Sequence, residues 1–260
     1  MSTRVRVGDH QLECKWIGLG PDEAPTIVFL HEGLGCVEMW RDFPEQVVEA
    51  TGCGALVYSR AGYGKSDGIV LPRRVEFMHD EALSVLPQIL KEFRIDKGIL
   101  FGHSDGGSIS LILAGSGIAN NILGLVLEAP HVFVEPIGIE SIMKAKQNYE
   151  HGSLRASLQK YHGDNVESAF RGWNDVWLNP QFRSWNIESY LPGIRVPALV
   201  IQGEQDQYGT LRQVRTIQDA SGGPVETLVL SDCGHSPHRD QPKTVLENVP
   251  RFIKQYIDRS

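Results

Sequence analysis

Apolar residues in this chain fall into short runs of strand length, separated by longer segments that keep their apolar positions on one face. Residues 3–7 and 11–18 alternate apolar and polar, and the Gly8-Asp9 pair between them predicts an antiparallel hairpin. Beyond them the runs at 26–30, 55–58, 98–101, 123–127, 198–201 and 226–230 are nearly continuous in apolar residues. That is the pattern of strands buried on both faces of a mostly parallel sheet. Helices are predicted between them, near 38–50, 76–94, 106–118, 210–220 and 242–258. In the second, Phe77, Leu83, Leu86, Ile89, Leu90 and Phe93 keep roughly a one-face spacing. Pro250 should kink or split the last one, because it removes an amide donor and crowds the preceding turn.

The alternation fails once. Between Glu128 and Val196 lie roughly 65 residues with no strand signal, far beyond an ordinary connection. Periodicity predicts helices at 137–149, 153–161 and 164–178; in the last, Val166, Phe170, Trp173 and Trp177 share a face. Asp164 with Glu167 has the form of a capping box, and Asn179-Pro180 ends the helix. The insertion reads as a helical cap over residues 131–194, on a core made of 1–130 and 195–260. Internal repeats and low-complexity segments are absent from the sequence.

Composition narrows the classes. A net charge of −7 and the lack of any basic run argue against nucleic-acid binding. Apolar runs of about 18 residues are missing, so no membrane partner is expected, and the start of the chain lacks a signal peptide's apolar core. Four cysteines without CxxC spacing fit a reduced, cytoplasmic protein better than a disulfide framework.

Two segments match G-x-S-x-G, around Ser66 and Ser104. A nucleophile elbow needs a strand that runs straight into a sharp turn and then a helix, with glycines keeping Cβ atoms away from the turn. Ser104 has that setting, between GILFGH and GGSISLILAG. Ser66 is separated from its strand by residues 60–64 and followed by Pro72, so it reads as a loop serine. A P-loop there would need glycine at Ser59, and Gly33-x-Gly35 continues to Glu38, outside the dinucleotide fingerprint. A serine hydroxyl needs a general base, and the base needs a group that holds its tautomer. Asp206 and His235 each follow a strand at the edge where Ser104 lies.

The segments LHEGLG (30–35), SRAGYGKSD (59–67), GHSDGG (102–107), IQGEQD (201–206) and CGHSPHRDQP (233–242) together resemble the α/β-hydrolase superfamily along nearly the whole chain. The resemblance implies a mostly parallel sheet of about eight strands with helices on both faces and a helical cap between the sixth and seventh strands. It also implies Ser104 as nucleophile, Asp206 as acid and His235 as base. The oxyanion hole would take the amide of Asp105 and a second from the loop after Leu30. That loop reads His31-Glu32-Gly33 where many relatives have His-Gly, which leaves Gly33 or Leu34 as the second donor, with Gly33 favoured.

Other assignments compete. Glu128 or Glu204 could be the acid. His103 and His31 read as structural, and Cys233 as inert packing. His235 with His238 and Asp240 is too sparse a set for a metal site, and no cofactor is implied. Trp40, Trp173, Trp177 and Tyr208 are the substrate-pocket candidates, with Trp185 and Tyr190 behind them. The expected activity is cleavage of a small carboxylic ester or lactone through an acyl-enzyme. Thioesterase, carbon–carbon bond hydrolase or acyltransferase chemistry could use the same triad, and a small-ligand receptor is the reading from another class.

Overall fold

The computed structural model describes residues 2–256. Eight strands form one sheet in the order β1-β2-β4-β3-β5-β6-β7-β8. β1 (Thr3–Val7) and β2 (His10–Ile17) are the antiparallel hairpin. β3 (Thr26–Leu30), β4 (Gly54–Tyr58), β5 (Gly98–His103), β6 (Ile122–Glu128), β7 (Ala198–Gly203) and β8 (Val225–Leu230) run parallel.

Successive side chains of a strand point to opposite faces, and the continuous apolar runs therefore feed two separate cores. Val28, Leu30, Leu56 and Leu100 pack with helices α2 (Phe77–Asp80), α3 (Leu86–Glu92) and α4 (Asp105–Ser116). Ile27, Phe29, Val57 and Phe101 pack on the other face with α1 (Phe43–Thr51) and α10 (Pro242–Tyr256). β8 differs, since it is an edge strand and its Val229 is 41% exposed.

Between β6 and β7 lie α5 (Pro136–His151), α6 (Leu154–His162) and α7 (Val166–Trp177), followed by 3-10 turns at Pro180–Ser184 and Glu188–Gly193. Helices α8 (Leu211–Ala220) and α9 (Pro237–Asp240) complete the set.

Three local expectations need correction. α2 and α3 are joined by a π-helical turn, Glu81–Val85, whose extra residue shifts the register. It turns Leu83 outward, 37% exposed, and brings Glu81 inside to accept from the Tyr58 hydroxyl. The capping box does not form: Asn165 is the N-cap, and Glu167 instead pairs with Arg155 and Arg171. Pro250 does not split α10, which runs unbroken to Tyr256; the expected end at residue 258 lies outside the described residues.

Candidate active site

β5 runs directly into α4 through Ser104, which holds φ 53° and ψ −115° as the residue preceding the helix. A non-glycine residue at positive φ is uncommon, and here the surroundings enforce it. The Ser104 amide donates to the Glu128 carbonyl (2.8 Å) and its carbonyl accepts from the Ser108 amide (3.0 Å). Glycine is required at the next turn of chain: a Cβ on Gly106 would fall 2.1 Å from the Leu30 carbonyl oxygen. This close approach seats the start of α4 against the end of β3. Asp105, first residue of α4, has an amide with no partner inside the helix.

Asp206 and His235 arrive on the loops after β7 and β8. His235 Nδ1 lies 2.9 and 2.8 Å from the two Asp206 carboxylate oxygens. A carboxylate only accepts, so Nδ1 carries the proton and Nε2 presents its lone pair. The Asp206 carboxylate also accepts from the Tyr208 amide (2.7 Å) and Gln202 Nε2 (2.7 Å). Burial alone would push its pKa up; the charge and hydrogen bond of His235, with the Tyr208 amide, outweigh it and hold the carboxyl below its ordinary value.

Ser104 and His235 line one pocket of about 170 Å³, without a hydrogen bond between them among the described residues. Catalytic hydrogen bonds are often loose before substrate binds. Trp173, Trp177 and Tyr208 line the same pocket, as the sequence suggests, and so does Gly33. Trp40 does not. Its ring is buried below the sheet edge, against Phe29 (5.2 Å), Phe101 (5.8 Å) and His238 (4.8 Å). The 3-10 turn Val37–Trp40 carries it away from the loop it follows. Trp185 stacks on Phe182, and Tyr190 meets His79.

His131 and Glu32 are pocket residues that the sequence reasoning missed. His131 follows β6 as Asp206 follows β7, a signal that could have found it. It is held neutral: burial, then the nearby His235, bring its pKa down to about 4.

His31, His103 and His238 are held in hydrogen bonds within the protein. His31 Nε2 accepts from the Arg60 amide (3.1 Å), which leaves Nδ1 to donate to the Glu32 carbonyl (2.7 Å). His103 Nε2 donates to the His235 carbonyl (2.7 Å). His238 and Glu128 form a buried pair at 2.6 Å, which leaves one Glu128 oxygen without a partner. Glu128, the rival acid, is thereby directed to His238 and away from His235, and Glu204 is exposed. Asp240 accepts from the Gly234 amide (2.8 Å). His103, Glu128 and His238 bring possible ligand atoms within 4.8 Å of one another, with both imidazoles already hydrogen-bonded inside the protein. Cys233 is buried, and burial followed by the charge of Asp240 pushes its thiol up to about 12. Ser66 donates to the Ser59 carbonyl and accepts from the Glu13 amide, a loop staple.

Residues 27–248 match the alpha/beta hydrolase family, which is 222 of the 260 residues in the chain. The chain belongs to this family. Among relatives of the α/β hydrolase, the 2-succinyl-6-hydroxy-2,4-cyclohexadiene-1-carboxylate synthase of Salmonella paratyphi C is 32% identical, with 90% of this chain and 96% of the relative aligned. Two solved structures share the fold. One is an esterase from Exiguobacterium antarcticum (TM-score 0.77, 21% identity, 98% of this chain and 100% of that one). The other is an enol-lactonase from Burkholderia xenovorans LB400 (TM-score 0.76, 20% identity, 97% and 100%). No described helix of this α/β hydrolase is long and apolar enough to cross a membrane.

Proposed function

We propose that the protein is a serine hydrolase that cleaves a small carboxylic ester or lactone through an acyl-enzyme. The observation that carries this reading is the strained Ser104 facing the same pocket as a histidine whose Nδ1 is fixed by Asp206 at 2.8 Å. Ser104 attacks the carbonyl while His235 Nε2 takes its proton and returns it to the leaving alcohol. Asp206 stabilises the imidazolium. The Asp105 amide, at the N-terminus of α4, and the amide of Gly33 receive the oxyanion. Water, activated by the same histidine, releases the acid. Residues 131–194 act as a cap in this scheme, because Ile142, Trp173 and Trp177 of the insertion line the pocket.

The named activity of the Salmonella relative suggests a second reading, in which the same triad serves a substrate rich in carboxylates. The lining disfavours it: Glu32 is present, and no lysine or arginine is found among the described lining residues. A fluorophosphonate probe tests the proposal. It should label Ser104, and Ser104→Ala should lose labelling and ester turnover together while staying folded. Labelling of Ser66, or full turnover in the Ala variant, would overturn it.

A further inference from the structure

The Glu32 carboxylate has no evident partner in its own protein. It is 19% exposed, lies in the pocket wall, and receives no hydrogen bond from the described residues. The nearest ionisable nitrogen is His103 Nδ1 at 4.0 Å. That imidazole is neutral, since burial, then the neighbouring His235 and His238, drive its pKa well below the ordinary value. The rest of the described lining holds no lysine or arginine to face it; aromatic rings alternate there with small, aliphatic and neutral polar residues such as Gly138, Ile142 and Gln207. Trp173 and Tyr208 stand with ring centroids 6.4 Å apart, edge to face, and Trp177 lines the same space. His131 adds no charge, because burial holds it neutral with a pKa of about 4. Asp206, behind His235, adds a second negative charge. A carboxylate without a hydrogen-bonded partner among the described residues, beside two indoles and a phenol, is chemistry suited to a cation, which gains from the negative charge and from the π-systems of the rings.

We infer that the substrate carries a cationic nitrogen, a protonated amine or a quaternary ammonium group, close to the scissile carbonyl, and that Glu32 with Trp173, Trp177 and Tyr208 binds it. The inference rests on the hydrolase reading above and names its substrate class. An anionic acyl group would meet Glu32 with nothing to offset the repulsion.

Paired esters that differ only in charge test this. Butyrylcholine against 3,3-dimethylbutyl butyrate places the cation on the alcohol. A 4-(trimethylammonio)butanoate ester against its 5,5-dimethylhexanoate isostere places it on the acyl side. In at least one pair kcat/KM should favour the cation by roughly 10- to 100-fold. Glu32→Gln should collapse that ratio, and Glu32→Asp should restore part of it. Ratios near one in both pairs, with turnover still dependent on Ser104, would overturn the charge assignment and leave the hydrolase standing. Should no ester be turned over, the hydrolase reading falls instead, and calorimetry on Ser104→Ala with the same pairs still decides the inference. Tighter binding of the cationic member upholds it; equal or weaker binding of both cations overturns it.

Discussion

A Cβ atom built on Gly33 would lie 2.2 Å from two atoms of the Trp173 indole. The loop after β3 and helix α7 thus meet with no room for a methyl group, and the amide proposed for the oxyanion hole lies under the inserted helices. Gly33→Ala should displace either the ring or the loop, and kcat/KM should fall about 100-fold, as for other small misplacements of catalytic groups. In a Trp173→Ala background the same substitution should cost far less. Equal losses in the two backgrounds would show that the ring is not the obstacle.

Asp206→Asn should lower kcat by roughly 10³- to 10⁴-fold, because the amide favours the wrong tautomer of His235. Glu128→Ala should behave differently. It strips the hydrogen-bond partner from the buried His238, so stability should drop by roughly 1–3 kcal/mol, while the folded fraction keeps most of its kcat. Denaturant melts beside active-site titration separate the two. A Glu128 variant with normal stability and no turnover would move the acid to β6.

Asp105 is fully buried, and its carboxyl is raised to about 6 by burial, which outweighs the opposing charge of Arg60 and the hydrogen bond from Trp177. The unfolded chain releases this proton near its ordinary value of 3.8, before the folded protein does. The folded state therefore binds more protons between pH 4 and 6, and stability falls as pH rises through that window, by about 3 kcal/mol in total. Asp105→Asn should abolish this contribution. Parallel stability curves for the two proteins from pH 4 to 7 would refute it.

Trp177 is 3% exposed and lines the pocket, and Trp173 likewise at 6%, so each is both core and wall. Either change to Ala should cost roughly 3–5 kcal/mol of stability and shift the preference between acyl chains by roughly 10- to 200-fold. Trp40→Ala should show the stability loss alone. A shift in acyl preference with Trp40→Ala, measured on an ester panel, would contradict its place under the sheet.

Most of the sheet was legible because buried parallel strands must be apolar on both faces, and runs such as Ile27–Leu30 and Ile99–Phe101 admit few other readings. Chain order and strand ends pointed to Ser104, Asp206 and His235; the structure puts Ser104 and His235 in one pocket wall and Asp206 behind it, against His235 Nδ1. Trp40 was misread because nearness in sequence to the Gly33 loop says nothing of where a 3-10 turn sends a ring. Glu32 was passed over because its loop was read only for backbone amides. The π-turn at Glu81–Val85 left no mark, since one extra residue in a helix alters which face Leu83 occupies without altering composition.

The hydrogen bond from His103 to the carbonyl of His235 spans 132 residues of chain. It ties the residue before Ser104 to the loop that follows β8, the last strand of the sheet. During synthesis the serine, its elbow and its helix can all be in place while the imidazole is still inside the ribosome. On the proposed assignment, a nascent chain that stops short of residue 235 lacks both the base and the carbonyl that His103 holds, and could show only the residual turnover of an incomplete triad.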